Sequence, residues 1–440
     1  MDSKVLFLGM GVVGQSLLNI IKKENLFPDE NILVADSSRQ ALDYFIEAGG
    51  KKDNAILFEM NSRSYKEIFN YLKEDDYLLC LADGNDCVVL VEECNKRRIH
   101  FVSASDDTFD DVEDEEDFRY LDHFNLYKKL AINSRGSATS ILQFGVNPGF
   151  VSILAKKALI DIVENDAGDF VSGKRDYFKE LLESNNYSQL ARELGVTAFI
   201  ETDLDTTKSS LREDINTVYS TWNVPDFDAE MDDRTIIKVG TNESLSAALD
   251  RIGVNEDKIF YYNKSDGTLV LDLTGKQVKA KAFDGSRVFE GCVDAHEEVF
   301  TIHDYFSVRD TNGDINYAPS VMFVYSPCEL AVSSVNHGDN EKYQLITKEF
   351  MTSGGESVGI VAVGDKFKPR YVGTKLSYDE NSFETPSVLL VSASLSAALK
   401  YIINHPKDGI MFPEYPKTEE IISYAKEYLP IISVELNENV

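Results

Sequence analysis

At 440 residues, 43% of them hydrophobic, the chain can bury large cores and is expected to divide into two or three domains. Its 44 basic and 75 acidic residues give a formal net charge of −31, which disfavours nucleic acid as a partner because phosphates would be repelled. No apolar run approaches the ~20 residues of a bilayer span, and a strand pattern begins within the first few positions, so neither a membrane segment nor a signal peptide is expected.

The first apolar run, 4–8, ends in Gly9, Gly11 and Gly14, and a helical pattern follows at once. Gly9 allows a tight turn. Gly11 lets the backbone approach a pyrophosphate, and Gly14 lets the helix pack close to the strand. Val12 and Val13 lie between these glycines, where the helix N-terminus faces the anion. The next apolar run, 31–35, ends in Asp36. A carboxylate at that distance accepts a ribose hydroxyl and repels a 2′-phosphate, favouring NAD over NADP, while Arg39 close behind leaves room for the phosphorylated cofactor. The alternative is a glycine turn that binds nothing.

Strand and helix patterns keep alternating: helix 39–48, strand 55–59, helix 64–72, strand 77–81, helix 87–96 and strand 100–102. This series predicts a right-handed, Rossmann-type parallel sheet with its ligand at the carboxyl ends of the strands. Asp83 follows the fourth strand at that edge. The acidic run 106–117 has the composition of a solvated loop, but it follows a strand end, so its first carboxylates can face the site.

Helix 124–132 and strand 140–144 lead to Gly145-Val146-Asn147-Pro148-Gly149. Pro148 fits the first turn of a helix that runs over 150–160, whose dipole would point into the site. Asn147 is either a ligand for an amine or nicotinamide amide, or a plain N-cap.

After about residue 159 the character changes. Short β-branched and aromatic runs at 268–273, 288–293, 298–302 and 320–325 read as an antiparallel sheet in a second domain. A long helix 387–404, a turn 409–413 and a helix 419–428 close the chain and are expected to return to the first domain. The expected boundaries are 1–146 for dinucleotide binding, 147–385 for substrate binding and dimerisation, and 386–440 for the returning segment.

Three further clusters carry possible chemistry. Asp203 and Asp205, after a strand over 197–200, share one face if the strand continues, and two carboxylates in a cleft suit an ammonium group; the alternative is an exposed turn. Trp222, the single tryptophan, is either a face for an ammonium cation or a core anchor. His296 and Glu298, two apart in an expected strand, form either a proton-shuttling pair or a solvated surface pair. No third and fourth ligand at recognisable spacing accompany them, so no metal is expected. The other histidines, His123 among them, are scattered and receive no role. No GxSxG, Walker lysine or HExxH motif occurs, so hydrolase and kinase readings lack support. Cys80, Cys87, Cys94, Cys292 and Cys328 form no CxxC pair and read as reduced core cysteines of a cytoplasmic protein.

Taken together, the glycine turn, Gly145-Val146-Asn147-Pro148-Gly149-Phe150-Val151-Ser152, Thr221-Trp222-Asn223-Val224 with Glu230, the run from His296 to Phe306, Gly354-Gly355-Glu356-Ser357-Val358-Gly359 and Tyr371-Val372-Gly373-Thr374-Lys375-Leu376 resemble the homospermidine synthases of the saccharopine dehydrogenase-like group. The resemblance implies a dinucleotide domain, a larger mixed α/β domain and a homodimer. It implies NAD as cofactor and an aminobutyl transfer between two putrescines, or from spermidine, through a Schiff base. It places His296, Glu298, Trp222 and Asp203 at the chemistry and Asn147, Asp106 and Glu230 along the diamine; Asp205, beside Asp203, is expected along the diamine too, and Gly9, Gly11, Val12, Val13, Gly14, Asp36, Asp83 and Pro148 are expected at the cofactor. The family usually has Glu where Asp106 and Asp203 stand here. Two other readings stay open: an ordinary NAD(P)-dependent oxidoreductase of the saccharopine dehydrogenase type, and a non-catalytic dinucleotide-binding paralogue.

Overall fold

A parallel sheet of seven strands and a mixed sheet of ten organise the computed structural model, which describes residues 2–109, 119–335 and 342–437. Each sheet lies in its own unit: 1–150 with 388–428, and 151–387 with 429–440. Most of the acidic run, 110–117, lies outside the described residues.

In the first unit the strands Val5–Leu8, Ile32–Asp36, Ala55–Leu57, Tyr77–Cys80, His100–Ser103 and Ser140–Ile141 alternate with helices, as the βαβ pattern predicts. The first strand pairs in parallel with Ile32–Asp36 on one side and Tyr77–Cys80 on the other. This central position brings the carboxyl ends of three neighbouring strands to one edge, where the ligand of such a sheet sits. Leu6, Leu8, Leu33, Leu78, Val91 and Phe101 are among the residues that fill the core against the helices. The expected helix 64–72 is a 3-10 helix, Tyr65–Tyr71.

The helix Pro386–Asn404 corrects the expectation that no apolar run is long enough for a membrane: by length and composition it qualifies, with a mean hydropathy of 1.6, but 78% of that window is buried within the protein. Two of its serines are bonded: Ser394 Oγ donates to the Leu390 carbonyl, and Ser392 Oγ lies 2.6 Å from Ser16 Oγ. The strand Ile410–Met411 follows and adds a seventh parallel strand to the sheet.

In the second unit the strand Val196–Asp205 is central. It pairs in parallel with Ser320–Ser326 and antiparallel with Gly355–Gly364, so the sheet is mixed where an antiparallel one was expected. Residues 200, 322, 324 and 361 point from one face into an apolar core with Leu269, Leu271 and Val293. By the alternation of strands, 201, 203 and 205 point to the opposite face. The strand expected over 298–302 is instead the first half of the helix Glu297–Tyr305. A carboxylate-rich first turn, Glu297 and Glu298, followed by Val299, Phe300, Ile302 and His303 on the buried side, favours the helix over the strand period. The chain's last strand, Ile431–Glu435, pairs with Arg370–Ser377 in this sheet, so the end of the expected returning segment 386–440 belongs to the second unit rather than to the first.

Candidate active site

In the first unit the turn after Val5–Leu8 has the features of an anion cradle. Gly9 has φ +98°, and a Cβ there would come 2.6 Å from the Ala82 nitrogen. A Cβ on Gly14 would lie 2.9 Å from the Gly9 carbonyl oxygen, so helix and turn pack as closely as backbone permits. Above Gly11 nothing lies within 4 Å. Gly11 caps the helix Val12–Lys23 without a side-chain hydrogen bond, which leaves the first-turn N–H groups for an anion.

Asp36 closes the cradle: its Oδ2 accepts the Met10 N–H at 2.7 Å and its Oδ1 accepts the Ser38 N–H at 2.7 Å. Arg39 is exposed. Asp83 lies in the loop after Tyr77–Cys80; the neighbouring Gly84 N–H is held by Asp107, the second carboxylate of the acidic run. Burial pushes the Asp107 carboxyl up, against the hydrogen bonds from Gly84 and Thr108.

Asp106 accepts from the Tyr127 hydroxyl at 2.6 Å, and its Oδ2 lies 2.8 Å from His123 Nδ1. Both partners come from the helix Arg119–Asn133, so His123 gains a structural role. Pro148 lies in the turn rather than in the first turn of the helix, and Asn147 is not its N-cap, whereas the helix expected over 150–160 is present. The turn is bracketed by Gly145 and Gly149, and the helix starts at Phe150. Its form depends on Gly149, at φ +129°, where a Cβ would meet the Gly145 oxygen and the Phe144 Cα at 2.6 Å. Asn147 and Pro148 are both half-buried.

The second unit collects acids on one sheet face. Asp203 and Asp205 extend the central strand past its expected end at 200 and are buried, so they are not an exposed turn. The register sets Phe323 beside Glu201, Tyr325 beside Asp203, and Glu356 beside Asp205. Glu201 and Glu356 escaped the sequence reading, although the alternation Glu201-Thr202-Asp203-Leu204-Asp205 contained the signal for the first. Burial, reinforced by Asp203 and Asp205, pushes the Glu356 carboxyl well up.

Asp205 is satisfied locally. It accepts the Thr207 N–H at 2.8 Å and the Thr221 hydroxyl at 2.8 Å, so it anchors the residue next to Trp222. Burial raises its carboxyl, partly offset by those hydrogen bonds.

Trp222 is half-buried, and its Nε1–H donates to the Tyr325 hydroxyl at 3.2 Å, which fixes the indole plane. The helix Val224–Asp232, capped by Asn223, carries Glu230. Burial pushes the Glu230 carboxyl well up; His296 opposes the shift and Asp294 adds to it.

His296 is the N-cap of Glu297–Tyr305, and its Nδ1 lies 2.6 Å from Glu298 Oε2. The pair therefore forms across a helix start rather than along a strand, and it is buried rather than a solvated surface pair. Burial opposes the imidazolium, but Glu298 and Glu201 outweigh it and hold His296 well above the usual histidine range. Glu201 brings a third group: one ligand-type atom of each of Glu201, His296 and Glu298 lies within 4.8 Å of the others. Imidazole and carboxylates are metal-ligand types, but two ligands on a zinc ion sit roughly 3.3 Å apart at Zn–ligand lengths of ~2.0–2.1 Å. The 2.6 Å contact between His296 and Glu298 is a hydrogen bond instead.

The first unit thus has a dinucleotide-type turn, and the second a buried cluster of acids around one imidazole and one indole. Residues 5–126 match the saccharopine dehydrogenase NADP binding domain family. Over nearly its whole length the chain is similar to homospermidine synthases. It is 21% identical to that of Blastochloris viridis, covering 98% of this chain and 91% of the relative. It is 20% identical to that of Mesorhizobium japonicum, covering 97% and 88%. The fold matches the crystal structure of the homospermidine synthase of Legionella pneumophila in complex with NAD, with a TM-score of 0.82 at 19% identity, covering 100% of this chain and 92% of that one. The resemblance read from the motifs extends over the chain.

Proposed function

We propose that the chain is an NAD-dependent enzyme of the homospermidine synthase kind, which moves an aminobutyl group from one putrescine, or from spermidine, to another putrescine. The observation that carries this reading is the buried gathering of Glu201, Asp203, Glu298 and Glu356 on one side of the second sheet, with His296 and Trp222 among them. Buried carboxyls at this density are stable only if protonated or matched by cations. A substrate with an amine at each end meets that requirement.

The turn of Gly9, Gly11 and Gly14 and the carboxylate of Asp36 fit a dinucleotide diphosphate and a ribose without a 2′-phosphate. Held at Gly9, Gly11, Gly14 and Asp36, NAD would supply the hydride-accepting and hydride-donating chemistry of the reaction. The chain's own residues bind and move protons. Glu298 holds His296 in its charged form, so the imidazolium is positioned to protonate the imine nitrogen as the second amine adds to its carbon; the resulting imidazole takes the proton of the adding nitrogen and passes it to the ammonia that leaves as the new C=N bond forms. Trp222, oriented by Tyr325, offers its ring face to the cationic imine. Asp203 and Glu230 supply acceptors for ammonium groups within the second unit, and Asp106 and Asn147 are acceptors of the same kind in the first.

A saccharopine-type substrate carries a carboxylate and calls for Arg or Lys; the groups collected around His296 are acids, which favours the amine. The test is to incubate the protein with putrescine and NAD, without added reductant. Homospermidine and ammonia in equal amounts, without NADH accumulation, are expected. Accumulating NADH would indicate an ordinary oxidoreductase instead.

A further inference from the structure

We propose that Glu201 is a member of the amine site that carries a proton when the site is empty and releases it to solvent when an ammonium end arrives. The inference rests on the amine reading above and adds to it a residue and a proton count.

Glu201 is fully buried, and neither of its carboxyl oxygens has a hydrogen-bond partner. It is not a stray core residue. Its strand neighbour Ile200 faces the apolar core with Met322 and Val324, whereas Glu201 shares the opposite face with Asp203 and Asp205. The charged groups that act on it are His296, Glu297 and Glu298 from the helix start and Asp203 from its own strand. The flanking strands set Phe323 and Ile360 beside it, and neither carries charge.

Burial and the charge of Glu298 both oppose a carboxylate at Glu201. His296 favours one, but its Nδ1 is already engaged by Glu298. An ammonium group within about 4–6 Å would supply the missing counter-charge and bring the carboxyl back into its ionised form. The step balances simply: an ammonium and a carboxylic acid become an ammonium–carboxylate pair and one proton in solvent. No covalent bond to carbon changes and nothing is oxidised.

The experiment is calorimetric titration of the full chain with putrescine, in two buffers of different ionisation enthalpy and over a range of pH. The wild type is expected to release protons on binding, with affinity rising up to tenfold per pH unit for each proton released. Glu201→Gln is expected to bind putrescine with the proton count lower by about one and a correspondingly flatter pH dependence. Glu201→Asp, which keeps the acid, is expected to restore the release. An unchanged proton count in Glu201→Gln, or no release by the wild type, overturns the proposal while the amine reading stands. Failure of the wild type to bind putrescine overturns both. If Glu201→Gln does not fold, the comparison of wild type with Glu201→Asp decides: release by neither refutes the proposal, and release by both supports it.

Discussion

The two units differ in where their acids find donors: Asp205 of the second unit is bonded like those of the first, but Glu201 and Asp294 are not. In the first, Asp36 accepts two backbone N–H groups, Asp76 accepts those of Lys4 and Lys73, Asp86 accepts that of Val89, and Asp106 is held by Tyr127 and His123. These carboxylates build loops and helix starts. In the second, Glu201 and Asp294 are buried with no hydrogen-bond partner on either carboxyl oxygen. The same residue types serve as local scaffolding in one place and as buried carboxyls without local donors in the other. Net charge alone does not distinguish the two; the availability of donors does.

The comparison breaks most visibly at His296. Replacement of His296 by Ala should lower homospermidine formation by about 10²–10⁴-fold, the usual contribution of a positioned acid–base group. Rates near wild type would remove the imidazole from the chemistry. Trp222→Ala should slow turnover by about tenfold or more while circular dichroism stays unchanged, since a desolvated cation–π contact is worth ~2 kcal/mol. No effect on turnover would favour the non-catalytic reading.

Stability sharpens the contrast further. Burial pushes the Asp294 carboxyl up to about 7. A group raised in the folded state favours folding fully below its unfolded value, near 4, and this advantage is lost as pH rises through 7. Asp294→Asn should therefore raise the melting temperature more at pH 8 than at pH 5, by the equivalent of a few kcal/mol. Equal shifts at both pH values would contradict the assignment. In the first unit the sign reverses: Asp106→Ala removes the acceptor of Tyr127 and should destabilise by about 1–3 kcal/mol, read in urea unfolding. The smallest effect is expected at Asp36. Asp36→Ser should narrow the preference for NAD over NADP in a thermal-shift titration, with little change in the unliganded melting temperature.

Much of the first unit was legible because its signals are local. The glycine turn, the apolar runs and Asp36 lie within one βαβ span, where spacing translates directly into geometry. The second unit was legible only in part. Glu201, Phe323 and Ile360 meet through strand pairings that join chain segments more than 100 residues apart, and no local period reports them. The strand over 197–200 was ended too soon, because acidic residues are poor strand formers; burial on a paired central strand overrode that preference. His296 and Glu298 were correctly paired on a mistaken element. Two residues apart works across a helix N-cap as it does along a strand, because the cap side chain turns back towards the first turn.

The last strand has a consequence for how the protein is made. Ile431–Glu435 covers the outer edge of Arg370–Ser377, yet it is synthesised only after the chain has gone back to the first unit through Pro386–Asn404 and Ile410–Met411. Until residues 431–435 have been synthesised, the strand Arg370–Ser377 stands as an open ladder of backbone donors and acceptors, a template for pairing with another nascent chain. A chain truncated before residue 429 should therefore reach the insoluble fraction even though every residue of the proposed site is present.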